Sequence, residues 1–79
     1  MSHSQLDQLI IMANQIADNN HLDTDAESVE FIAMHIKKFW ARSMKEELIA
    51  YANEGGDKLN VLATKAIMLL SEQYAPAST

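Results

Sequence analysis

The stretch TDAESVEFIAMHIKKFW, residues 24–40, decides the fold. Thr24 followed by Glu27 forms a capping box, in which a side-chain oxygen takes an amide of the first helical turn that has no partner within the helix. Val29, Ile32, Ala33 and Ile36, with Phe39 or Trp40 next in line, recur at intervals of three and four, the spacing of one helix face. Lys37 and Lys38 fall in the last turn, where cations suit the negative end of the helix dipole. The reading is a helix over about Asp25 to Phe39 with one face buried.

Working outward, the same periodicity appears three more times. From about Ser4 to Ala17, Leu6, Leu9, Ile10, Ala13, Ile16 and Ala17 make one stripe, with Ser4 as the expected N-cap. Asp18-Asn19-Asn20-His21 competes for backbone hydrogen bonds and predicts a stop. From about Met44 to Asn53 the stripe is Met44, Leu48, Tyr51 and Ala52, with Ser43 and Glu46 read as a second capping box. Gly55-Gly56 ends that helix, since glycine accepts the left-handed geometry of many helix exits. From about Val61 to Gln73, Leu62, Ala63, Ala66, Ile67 and Leu70 form a stripe, Asn60 is the N-cap and Leu59 packs just before it.

The expected fold is all-α, a compact bundle of four short amphipathic helices. Residues 1–74 read as a single helical domain and 75–79, with Pro76, as a flexible tail. Two glycines and one proline in 79 residues leave little punctuation for a β fold, and no segment alternates with a period of two.

Composition narrows the function. The chain has no cysteine, so it forms no disulfide and no thiolate metal site. The net charge of −5 argues against a nucleic-acid partner. No apolar run reaches membrane-spanning length, and the polar start is not that of a signal peptide, so the expected location is cytoplasmic. There is no HExxH, GxGxxG or phosphate-loop pattern. His3, His21 and His35 lack the spacing of a helical metal pair, Glu46 and Glu47 diverge around their helix, and no serine has an evident base. No catalytic residue, metal ligand or cofactor-binding residue is assigned, and the chain is not expected to be an enzyme by itself.

Binding is the remaining class. Ile11, Met12, Phe31, Met34, Val61, Met68 and Leu69 lie off the main stripes, more apolar surface than four short helices hide. Such surface marks interfaces. Four of the six basic residues, Lys37, Lys38, Arg42 and Lys45, cluster beside Phe39 and Trp40 between the second and third helices. This corner reads either as a solvated charge cluster around a tryptophan core plug or as a basic patch that meets acidic or phosphate-bearing groups.

The words Met12-Ala13-Asn14-Gln15-Ile16-Ala17, then His35-Ile36-Lys37-Lys38-Phe39-Trp40 and Met44-Lys45, then Gly55-Gly56 with Leu59 and Ala66 resemble the delta subunit of NAD-dependent formate dehydrogenase. Two departures stand out. Ala41-Arg42-Ser43-Met44 replaces the family's Asp-Pro-Arg-Met, and Asn60-Val61 replaces an Asp-Pro. The resemblance implies an accessory subunit of a large molybdenum or tungsten enzyme. That enzyme passes electrons from formate through a pyranopterin, iron–sulfur clusters and flavin to NAD. The implied partner is its large catalytic subunit, and the implied role is support of assembly, stability or activity. The expected partner-binding residues are Met12, Asn14, His35, Lys37, Lys38, Trp40, Arg42 and Lys45, with Trp40 as anchor. The cations would meet carboxylates or the pyranopterin phosphates, and the isolated chain would be able to form a homodimer. A free-standing regulatory or antitoxin-like helical module is the alternative. An acyl carrier protein, which Ser28 near the start of the second helix brings to mind, is a third reading, though Glu27 stands where carriers have aspartate.

Overall fold

The chain folds into α1 (Gln5–Asn19), α2 (Asp25–Phe39), α3 (Arg42–Asn53) and α4 (Val61–Tyr74) in a computed structural model that describes residues 5–74. The expected Ser4 cap and the tail 75–79 lie outside the described residues. Among the described residues there is no strand. The expected all-α architecture is therefore observed.

Helix α4 is the centre. Leu62, Ala63, Ala66, Ile67 and Leu70 are all buried, and α4 packs most extensively on α2, then on α3 and α1. Ala13, Ala17, Ala33, Ala63 and Ala66 are almost wholly enclosed, and their small side chains let helix axes approach closely. Leu9, Ile10, Ile32, Ile36 and Leu48 fill the remaining space. Each such side chain stabilises the fold by roughly 1.5–3 kcal/mol relative to exposure.

Helix ends follow local chemistry. The Glu27 amide donates to Thr24 Oγ1 at 3.1 Å, the expected cap of α2. The Ala63 amide donates to Asn60 Oδ1 at 2.8 Å, the expected cap of α4. Helix α1 runs to Asn19, two residues beyond the expected end, because the Asn20 side-chain amide donates to the Ile16 carbonyl at 2.7 Å and holds the last turn. Gly55 (φ +125°) and Gly56 (φ +55°) turn the chain after α3. A Cβ on Gly56 would lie 3.1 Å from the Ala52 Cα, so the turn needs glycine for space as well as for conformation.

The start of α3 differs from its expectation. Ser43 does not cap it. The helix begins at Arg42, its N-cap position is Ala41, and no side chain caps it. The chain leaves α2 through two extended residues, Trp40 and Ala41, and turns straight into α3, with the Lys45 amide on the Ala41 carbonyl. Burial of Trp40 sets this corner and carries Ser43 inside the first turn. The first-turn side chains of Arg42 and Ser43 are exposed, so water can serve the uncapped amides there.

Ser28 also departs from expectation. The acyl-carrier reading needs an accessible hydroxyl, but Ser28 is buried. Its hydroxyl donates to the Thr24 carbonyl at 3.1 Å and accepts the Leu22 amide at 2.8 Å. It thus pins the α1–α2 loop onto the first turn of α2. A buried hydroxyl bonded on both sides is closed to a phosphopantetheine arm, and the acyl-carrier reading ends there.

Candidate protein-docking surface

The inner face of α2 (Ser28, Ile32, Ala33 and Ile36) packs into the bundle. On its outer face Phe31, Met34, His35, Lys38 and Phe39 occupy positions i, i+3, i+4, i+7 and i+8 of one helix stripe, and together they line a shallow depression. Phe31 is 42% exposed, Met34 54% and Phe39 72%. The His35 ring stacks on Phe31 with centroids 6.4 Å apart and tilts against Phe39 at 4.9 Å. Such offset ring contacts restrain all three side chains. A second depression shares Met34 and is bordered by Glu30 and Lys37 of α2 and by Leu69 and Gln73 of α4.

The basic corner separates into parts. Lys37 and Lys38 are exposed on α2. Arg42 is exposed but pairs with Glu46, Nε to Oε2 at 3.1 Å. Lys45 is buried, and its Nζ donates to the Lys37 carbonyl at 2.9 Å. An ammonium on a last-turn carbonyl satisfies both the open acceptor and the helix dipole, so Lys45 closes the end of α2. Trp40 is 7% exposed and part of the hydrophobic core. The structure resolves the choice between Phe39 and Trp40 for the core in favour of Trp40.

Asn14 is engaged inside the chain as well. Its Nδ2 donates to the Lys58 carbonyl at 2.9 Å and its Oδ1 accepts the Asn60 amide at 2.8 Å. Asn60 Nδ2 reaches Asp18 Oδ1 at 3.1 Å. This latch fastens the middle of α1 to the α3–α4 connection. Met12 is exposed on α1, where it lines a separate shallow depression with Leu9 and Met44.

Of the eight residues read as partner-binding, His35, Lys37 and Lys38 therefore share one outer face. Met12 lies elsewhere, Arg42 is paired at the corner, and Asn14, Trp40 and Lys45 make intramolecular contacts. Phe39 joins the outer face although its spacing also admits a core position. Leu22, exposed in the α1–α2 loop, carries no periodic signal and escapes a reading by stripes.

The family model of the NADH-dependent formate dehydrogenase delta subunit, FdsD, matches residues 8–67. The chain belongs to that family. No curated protein and no solved structure matches it. Membership associates the chain with the subunits of an NAD-dependent formate dehydrogenase complex. The matched span runs from α1 through the first half of α4 and includes the whole outer face of α2. In this delta subunit, several residues that carry the resemblance have structural duties: Ala13 and Ala17 in the core, Asn14 in the latch, Trp40 at the corner, Gly55 and Gly56 in the turn. His35, Lys37, Lys38 and Phe39 do not belong to the buried core. Among the described residues no helix is long and apolar enough to cross a membrane.

Proposed function

We propose that this chain is a non-catalytic accessory subunit of a molybdenum- or tungsten-dependent formate dehydrogenase that reduces NAD. It binds the large catalytic subunit in the cytoplasm and supports that subunit's assembly, stability or activity. Family membership over residues 8–67 carries the reading.

The chemistry of the chain supports a division of labour. Moving two electrons from formate to NAD takes redox groups, which in such a complex are the pyranopterin metal, iron–sulfur clusters and flavin. The residues of this chain do not suit these groups. A chain without cysteine has no thiolate to hold an iron–sulfur cluster. Among the described residues no three His, Cys, Asp or Glu side chains come together as a metal site. The outer-face depressions are shallow and open to solvent, unlike the enclosed clefts that bury most of a cofactor's surface. The chain offers its partner an apolar, partly basic helix face instead.

The test is to produce the enzyme with and without this chain, and to purify it through a tag on the chain. The tagged chain is expected to co-purify with formate dehydrogenase in fixed ratio. Its omission is expected to lower the yield of assembled enzyme or its formate-dependent NAD reduction. No co-purification, together with unchanged yield and activity, would overturn the reading.

A further inference from the structure

Among the described residues helix α2 presents three large exposed apolar side chains, Phe31, Met34 and Phe39, and no other helix presents more than two. We propose that the outer face of α2 is the docking site for a partner surface that is apolar along its centre and lined with carboxylates at its rim. The proposal rests on the accessory-subunit reading, in which that surface belongs to the large subunit.

Three observations carry it. The first is preorganisation. Phe31, His35 and Phe39 form a ladder with ring centroids 6.4 and 4.9 Å apart, so these side chains have less rotamer freedom to lose on binding than lone exposed residues. The second is the rigidity of the floor. The residue after Phe39 is the buried Trp40, whose amide donates to the Ile36 carbonyl at 3.0 Å. The Phe39 backbone is therefore held at the corner while its ring projects outward.

The third is charge. The chain carries a net −5, yet Lys38 borders the aromatic depression and Lys37 borders the neighbouring one across Met34. Neither lysine has an ion-pair partner among the described residues, whereas Arg42 is paired with Glu46 and Lys45 is buried at the end of α2. Two unpaired cations beside an apolar stripe are complementary to an acidic rim, which sets register and speeds encounter. A polyanionic nucleic acid is repelled by the net charge, and a second copy brings its own −5 against the first.

The test uses the tagged full chain and the whole enzyme. Two double variants and one control are compared with wild type: Phe31→Ser with Phe39→Ser, Lys37→Glu with Lys38→Glu, and, as control, Leu22→Ser in the exposed α1–α2 loop. All replaced side chains are exposed, so the phenylalanine pair and the control should keep helicity and thermal midpoint near wild type. The lysine pair, which puts anions at the negative end of α2, should lower the midpoint slightly while remaining folded, and both readouts report folding independently of binding. Affinity is measured with formate dehydrogenase purified from cells lacking this chain, at low and moderate salt. The phenylalanine pair is expected to weaken binding by about 30-fold or more, the scale of interface hot spots. The lysine pair is expected to weaken it by about tenfold or more at low salt, with a shallower salt dependence than wild type. The control should bind within about twofold, as near-neutral surface contacts do. If wild type binds and the phenylalanine pair binds equally well, the face assignment is overturned and the accessory reading stands. If the lysine pair binds as wild type, the acidic rim is overturned. If the isolated chain dimerises through this face while the phenylalanine pair still binds the enzyme, the occupant is a second copy and the proposal fails. If wild type does not bind the enzyme at all, the accessory reading fails with it.

Discussion

Phe39 and Trp40 are neighbours in the chain, yet Trp40 is 7% exposed and Phe39 72%. The contrast extends along the two faces of α2. Inside, Ile32, Ala33 and Ile36 are enclosed by the bundle, and Ser28 spends its hydroxyl on two backbone groups. Outside, the rings of Phe31, His35 and Phe39 contact one another in sequence, and Met34 lines the same solvent-open depression. The inner face holds the monomer together. The outer face contributes little to it and so is open to the partner surface proposed above.

Removing side chains from each face tests that contrast directly. The largest effect is expected for Trp40→Ala, which empties the corner between α2 and α3 and should cost about 3–5 kcal/mol. In a domain whose whole stability is of that order, urea denaturation should show a chain that is unfolded or nearly so. Phe39→Ala beside it should move the same transition by less than about 0.5 kcal/mol. Equal losses from the two would erase the distinction between the faces.

Asn60→Ala comes next. It removes the α4 cap and the side-chain bonds to Asp18 Oδ1 and the Asn14 carbonyl, while the Asn60 backbone amide still donates to Asn14 Oδ1. The expected loss is about 2 kcal/mol, at the upper end for a cap, read from the thermal midpoint. Ser28→Ala should cost about 1 kcal/mol, since the Leu22 amide loses its acceptor near solvent. Hydrogen exchange should then quicken at Leu22 ahead of the rest of the chain. Arg42→Ala should change stability least, by less than about 0.5 kcal/mol, because its pair with Glu46 is exposed.

How far the sequence was legible depended on the range of the interaction. Thr24 and Asn60 act within three residues, and their caps were readable from spacing alone. Ser43 carried the same signal and misleads, because burial of Trp40 starts α3 earlier than the local motif does. Among the off-stripe residues, Ile11, Met12, Phe31, Met34, Val61 and Met68 are exposed, as their positions on the helices imply. The corner cations looked alike in sequence. Only contact with a carbonyl eight residues back distinguishes Lys45 from Lys37 and Lys38. Asn14 and Asn60 are 46 positions apart, and neither residue's neighbours announce the other.

The sequence by itself determined the helices, their buried stripes, most of their ends and the absence of cysteine chemistry. These follow from periodicity, capping and composition, which act over one or two turns of chain. Only the tertiary structure decided that Trp40 turns inward and Phe39 outward, that Ser28 and Lys45 are buried, and that Asn14 is a latch. Those outcomes depend on which helix lies against which, and packing of distant segments is not written in any local spacing.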